Sequence, residues 1–184
     1  NGKRNSMKLY VARHGQTAWN AERRICGRTD LELTEEGKKQ AVVLAEQVAG
    51  KGIARILVSP LRRAQQTAGF IAEKLNLPLE TEPRLIEQCY GLYEGQDVKT
   101  EGFLYSKSQF ARRYPGGGES MMQLAARLYP LIDEVRAAGG PGNVLFVCHG
   151  GVCRVIHTYF EDMTNEEFVR YSAPNCQLEE YELD

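Results

Sequence analysis

The stretch Leu9-Tyr-Val-Ala-Arg-His-Gly-Gln-Thr-Ala-Trp-Asn20 decides how this chain is read. Residues 8–12 form an apolar run of strand length, and Arg13, His14 and Gly15 follow at its carboxyl end. In an open α/β sheet, ligands bind outside the carboxyl ends of the strands. A cation, an imidazole and a residue without a side chain are therefore delivered together where chemistry is normally done. A second delivery comes late, in Val144-Leu-Phe-Val-Cys-His-Gly-Gly151, where His149 and Gly150 follow another apolar run.

Working outward, helices and strands alternate. Thr34 opens a helical pattern whose first turn holds Glu35 and Glu36, which suit the positive end of the dipole. That pattern runs through Ala41, Leu44, Ala45 and Val48 to a stop at Gly50. Ile53–Val58 reads as a buried strand. Pro60 then opens a helix that continues over 64–75, and 77–81 is a brief extended piece. Residues 119–138 have helical periodicity, with Pro130 expected to kink or split the helix. Asn143–Cys148 is a strand, 151–159 and 165–171 are helices, and 176–183 alternates like an edge strand. Strands separated by helices predict an α/β fold with a mostly parallel sheet. The irregular 97–118 segment is expected to lie over the pocket as a lid.

The 184 residues suit one domain, 7–184, with 1–6 read as an expression remnant ahead of Met7. A net charge of −1 implies no global attraction to nucleic acid or to an anionic membrane surface. No apolar run approaches bilayer length, so no membrane association is expected. The expected partner is a small phosphorylated metabolite held by a local cluster of cations; oligomeric state has no signature here. Five cysteines, an odd number without framework spacing, point to a reducing cytoplasm.

The residues permit phosphoryl chemistry. A neutral imidazole can attack phosphorus and hold the phosphoryl group covalently. Guanidinium groups suit the phosphate oxygens because their forks bind bidentately. Arg13 adjoins His14, and Arg62, in Ser59-Pro-Leu-Arg-Arg-Ala-Gln-Gln-Thr-Ala68, is expected at the same rim. Gly15 would let backbone approach an oxyanion, and Asn20 supplies a neutral donor. Glu87, in Arg84-Leu-Ile-Glu-Gln-Cys-Tyr-Gly-Leu-Tyr-Glu-Gly95, is the candidate proton donor to the leaving oxygen. Glu94 is read as a brace for the nearby turns. His149 is the electrostatic partner of the transferring oxygens, with the Gly150 amide at a helix start. His157 is read as a packing residue. Arg112 and Arg113 are candidates to clamp a second anionic group, against a solvated helix end, and Arg28 is weighed in the same way.

One competing pattern is present. Cys148-His-Gly-Gly-Val-Cys-Arg154 fits the C-x-x-G-x-x-R loop of thiolate phosphatases. Position 147 is Val, so no histidine precedes the thiol to lower its pKa. That reading also leaves Arg13, His14 and Glu87 without a role. Cys148 is better explained as the last apolar residue of a strand.

Six segments together resemble the histidine phosphatase superfamily, also called the phosphoglycerate-mutase-like family. They are V-A-R-H-G-Q-T-A-W-N, G-R-T-D-L-E-L-T-E-E-G, S-P-L-R-R-A-Q-Q-T-A, the 87–95 stretch, P-G-G-G-E-S and V-C-H-G-G-V-C-R, in that order. The resemblance implies a three-layer α/β/α sandwich whose mostly parallel sheet has one antiparallel edge strand. It implies a phosphohistidine on His14, a pocket of Arg13, Arg62 and His149 joined by Asn20 and Gly150, and Glu87 as proton donor. It calls for no metal and no other cofactor.

The family's phosphatases and mutases share this apparatus. Gln16 stands where cofactor-dependent mutases usually have Glu, and the chain is short by their standard; both favour a phosphatase. Arg24-Ile-Cys-Gly-Arg-Thr-Asp30, which puts Cys26 and Gly27 with Gln16 among the implied substrate-binding residues, looks like a mutase segment. Tyr90-Gly91 and the Arg112–Arg113 pair point the same way. The leading expectation is a metal-independent phosphomonoesterase. A phosphoglycerate mutase and a phospho-ligand binding protein without turnover are the alternatives.

Overall fold

A computed structural model describes residues 6–183. The remnant expected at 1–6 lies, Ser6 apart, outside the described residues. Five strands form one sheet: β1 (Met7–Arg13), β2 (Ile53–Val58), β3 (Leu79–Thr81), β4 (Asn143–Cys148) and β5 (Leu178–Leu183). Their order is β3-β2-β4-β1-β5. The pairs β1–β4, β2–β4 and β2–β3 are parallel, and β5 runs antiparallel along the β1 edge. The helices are α1 (Ala18–Ala21), α2 (Glu35–Val48), α3 (Arg62–Leu75), α4 (Phe103–Lys107), α5 (Met121–Ala138), α6 (Gly150–Phe160) and α7 (Asn165–Arg170).

Successive side chains of a strand point to opposite faces, and that alternation builds three layers. Tyr10 and Ala12 of β1 pack with Ile56, Val58, Leu145 and Val147 against Leu44, Ala45 and Val48 of α2 and Ala64, Ala68 and Ile71 of α3. Leu9 and Val11 face the other way, with Leu57, Val144 and Phe146, against Leu124, Leu128 and Leu131 of α5 and Val152 and Ile156 of α6. The α/β/α sandwich with one antiparallel edge is therefore the observed fold.

Helix starts follow local chemistry. Thr34 caps α2 by accepting from the Gly37 amide, and Ser120 and Gln123 form a reciprocal capping box on α5. Of the two outcomes expected at Pro130, the split does not occur: Met121–Ala138 is one helix. A proline removes one backbone donor, but the buried stripe of Leu124, Leu128, Leu131, Ile132 and Val135 holds both halves against the sheet. No helix among the described residues is long and apolar enough to cross a membrane.

This topology places the site. The chain leaves β1 toward α2 on one face and leaves β4 toward α6 on the other. Neighbouring strands whose connections depart to opposite faces open a crevice at their carboxyl ends. The register pairs Arg13 with Cys148, so the next residues on each strand, His14 and His149, emerge side by side.

Candidate active site

The His14 and His149 ring centroids are 5.2 Å apart, and the His14 amide donates to the Cys148 carbonyl at 3.0 Å. Both rings are buried. His14 Nδ1 lies 2.6 Å from the Gly15 carbonyl oxygen. A carbonyl can only accept, so Nδ1 carries the proton and Nε2 presents its lone pair. That lone pair faces Arg63, whose Nε donates to it at 3.3 Å. His149 Nε2 is 2.7 Å from Ser59 Oγ, while its Nδ1 is buried without a partner.

Burial pushes the His14 pKa well below the ordinary imidazole value, and the Arg63 and Arg13 guanidiniums push it further down. His149 is lowered by burial, then by Arg63 and its neighbours. Both imidazoles are therefore neutral at neutral pH, the state a nucleophile needs. A stability prediction follows from the sign. Below pH about 6.5 the unfolded chain protonates these histidines and the folded chain does not, so stability falls as pH falls. Each contributes a limiting slope of about 1.4 kcal/mol per pH unit between pH 6.5 and 5. Urea denaturation across that range should show it, and His149→Gln should flatten it; an unchanged profile in that variant would contradict the assignment.

The other expected residues divide. Arg13 Nη1 donates to the Ala173 carbonyl at 2.5 Å, and its Nε is buried without a partner. Glu87 is buried, its oxygens accepting from the Gln88 amide at 2.8 Å and the Gly151 amide at 3.1 Å, so the carboxyl group is held at the start of α6. Arg13, Glu87, Asn20, Cys26 and Gly150 line one cavity of about 340 Å³; His14, His149 and Arg63 are not among its lining residues, although Arg13 and Gly150 each adjoin one of the two histidines in sequence. Asn20 Oδ1 accepts from Asn175 Nδ2 at 3.2 Å. The 97–118 segment contributes Val98, Phe103 and Lys107 to the cavity wall. Burial and then the Arg154 guanidinium hold the Lys107 pKa down at about 8.

Arg62 is not brought to this cluster. Its side chain is exposed and pairs with Glu32. Arg63 takes the place expected for it: fully buried, it reaches His14, the Thr29 carbonyl at 2.7 Å and the Gly27 carbonyl. Arg112 and Arg113 are corrected as well. They are exposed and border a separate cavity with Tyr93, Tyr105 and Gln109. Gly15 is required for another reason than the one expected. Its amide donates to Thr67 Oγ1 at 3.0 Å, and a Cβ there would stand 2.5 Å from the Gly37 carbonyl oxygen. Gln16 is engaged outward: its amide donates to Gln40 Oε1, and its side-chain oxygen accepts from Thr34 Oγ1. Gly27 presents its carbonyl to Arg63 and its amide to Glu94.

Glu94 is a brace, though of a different turn than expected. Its carboxylate accepts from the Gly27 amide at 3.0 Å and the Thr29 amide at 3.2 Å, so it fixes the two carbonyls that hold Arg63. Arg28 Nε donates to the Glu87 carbonyl at 3.1 Å. His157 packs in an aromatic group, 2.8 Å from the Tyr181 hydroxyl. Burial raises the Cys148 thiol well above its ordinary pKa, the opposite of a thiolate nucleophile. Among the described residues, no group of three His, Cys, Asp or Glu side chains is placed to hold a metal ion.

Known proteins resemble this chain in sequence and in fold. A protein of Yersinia pestis named "Probable phosphoglycerate mutase GpmB" is 36% identical over 180 residues, covering 94% of this chain and 83% of that protein. The mycobacterial glucosyl-3-phosphoglycerate phosphatase with VO3 superposes with a TM-score of 0.84 at 30% identity, over 95% of this chain and 90% of the other. Phosphoserine phosphatase of Entamoeba histolytica, in complex with 3-phosphoglyceric acid, gives 0.82 at 26% identity, over 95% and 89%. The histidine phosphatase superfamily (branch 1) matches residues 9–184. With nearly the whole chain matched and the paired histidines at the carboxyl ends of β1 and β4, the chain belongs to that superfamily and is an enzyme of the histidine-phosphatase type.

Proposed function

We propose that this chain is a phosphomonoesterase acting on a small phosphorylated metabolite through a phosphohistidine on His14. The observation that carries the reading is the Nε2 lone pair of His14, set by the Gly15 carbonyl and faced by Arg63 and the His149 ring. In the first step Nε2 attacks phosphorus and the P–O ester bond breaks. Glu87 protonates the departing oxygen, an effect of about 10²–10⁴-fold. In the second step water attacks phosphorus, the P–N bond breaks, and Glu87 takes the water's proton. Arg13, Arg63 and the unpartnered His149 Nδ1 stabilise the oxygens of the transition state.

The 36% identity to a named phosphoglycerate mutase favours a second reading, in which the phosphoryl group returns to the substrate instead of passing to water. The outward position of Arg112 and Arg113 supports the hydrolase, because the arginine pair that resembled a mutase grip is outside the cavity. The test supplies an aryl phosphate in one arm and 3-phosphoglycerate with 2,3-bisphosphoglycerate in the other. Released phosphate is expected in the first; 2-phosphoglycerate without free phosphate in the second would favour the mutase. Binding of either without turnover would favour the phospho-ligand binding protein. Glu87→Gln should lower kcat by about 10²-fold or more. A kcat unmoved by that substitution would mean another group is the acid.

A further inference from the structure

A neutral imidazole is a donor at one nitrogen and a lone pair at the other. His149 therefore attracts or repels the transferring oxygens according to which nitrogen holds its hydrogen, and that is set by the bond the other nitrogen makes. Nε2 lies 2.7 Å from Ser59 Oγ, and Nδ1 is left without a partner. The sheet creates this contact. Val58 of β2 pairs with Val147 of β4, and the Ser59 amide donates to the Val147 carbonyl at 3.0 Å, so Ser59 sits beside the end of β4. Its own carbonyl accepts from Gln65 Nε2 at 2.9 Å, and the residue is fully buried. Ser59 Oγ accepts from the Leu61 amide at 3.3 Å, and among the described residues its one other partner is His149 Nε2. If Nε2 held the ring hydrogen, the hydroxyl would accept twice and its own hydrogen would be buried without an acceptor, in addition to the unpaired Nδ1. If Oγ donates to Nε2, only Nδ1 is unpaired, and it carries the ring hydrogen.

We propose that Ser59 is a positioning residue for phosphoryl transfer: by donating to His149 Nε2 it holds the ring in the tautomer whose Nδ1–H donates to the transferring oxygens. The inference rests on the phosphomonoesterase reading of the same site. A second buried nitrogen without a partner, Arg13 Nε, lies next to this ring in the fold, 3.4 Å from where a Cβ on Gly150 would stand. The two donors then act together on one anion. The opposite tautomer would present a lone pair to those oxygens as their negative charge grows, replacing attraction by repulsion. The serine reaches the reaction only through the imidazole, because its hydroxyl is spent on the Leu61 amide and on Nε2.

The test reads the tautomer apart from turnover. Two-bond proton–nitrogen correlation NMR on protein carrying 15N-labelled histidine shows which ring nitrogen is protonated. The chain has three histidines, and the His149 signals are those missing from His149→Gln. At neutral pH the native protein should carry the hydrogen on Nδ1; hydrogen on Nε2 would overturn the proposal without any variant. In Ser59→Ala the ring should populate both tautomers. Its kcat on p-nitrophenyl phosphate should fall about tenfold or more, short of the about 10²–10³-fold lost with a whole preorganised donor, while KM stays within about threefold. Ser59→Thr keeps the hydroxyl and should restore the single tautomer and most of kcat. A fall in kcat with the tautomer unmoved, or a moved tautomer with native kcat, would overturn the positioning role. If Ser59→Ala fails to fold, the native spectrum and Ser59→Thr decide. Hydrogen on Nδ1 in a native chain that releases no phosphate would fail the phosphomonoesterase reading alone. Hydrogen on Nε2 in a chain that does release it would fail the Ser59 assignment alone.

Discussion

Replacing His14 with alanine is expected to lower aryl phosphate hydrolysis by at least about 10⁴-fold, the scale on which loss of a covalent nucleophile is felt. No neighbour can substitute for it. His149 Nε2 is occupied by Ser59 Oγ at 2.7 Å. The Cys148 thiol is buried and its pKa raised, so it is not available as thiolate. Burial and the two guanidiniums keep His14 neutral, so the nucleophile needs no separate base to free its lone pair. An acid-labile, base-stable phosphoryl label should accumulate on the native protein during turnover and be absent from His14→Ala. The variant should also lose less stability than the native chain between pH 6.5 and 5, because one buried neutral imidazole is gone. Activity within tenfold of native in a folded His14→Ala protein would remove the phosphohistidine from the mechanism.

The sheet and its histidine pair were legible because they rest on local rules that add up. An apolar run ending in Arg-His-Gly marks a strand end, two such ends mark two strands, and parallel pairing puts equivalent ends side by side. Edge strand β5 was visible in its alternation, and α2 in its cap and acidic first turn. Other features depended on partners far away in sequence. Glu94 looked like a brace for its own turn, yet it reaches the amides of Gly27 and Thr29. Gly15 looked like a phosphate-loop glycine, yet its missing side chain makes room for the Gly37 backbone. Arg112 and Arg113 sit in a segment without clear periodicity, so their direction could not be read. Arg154 stands out in the sequence only as the last residue of the C-x-x-G-x-x-R pattern. Nothing local to it signals that α6 brings it to the cavity wall.

Arg63, in contrast to the expected Arg62, carries a signal that is readable in the sequence. The buried residues of α3 are Arg63, Ala64, Thr67, Ala68 and Ile71. Ile71, Thr67 and Arg63 are successive steps of four, so the stripe that faces the core runs back onto Arg63 and leaves Arg62 turned outward. The consequence is a sharp contrast between neighbours. Arg63→Ala is expected to lower kcat/KM by about 10³-fold, the scale of removing a preorganised charge at the transferring group. It should also cost stability, since the Gly27 and Thr29 carbonyls lose their buried charged donor, at about 1.5–3 kcal/mol for each bond. Arg62→Ala removes only an exposed pair with Glu32, of a kind whose median worth is near zero, and should keep activity within about threefold of native. Arg63→Lys separates the two losses. A lysine restores a positive charge but cannot donate to His14 and to both carbonyls in one plane, so stability should recover more than kcat does. Equal losses in the Arg62 and Arg63 alanine variants would mean that the exposed arginine turns inward when substrate binds, and that the helical phase of α3 does not decide which cation meets the phosphate.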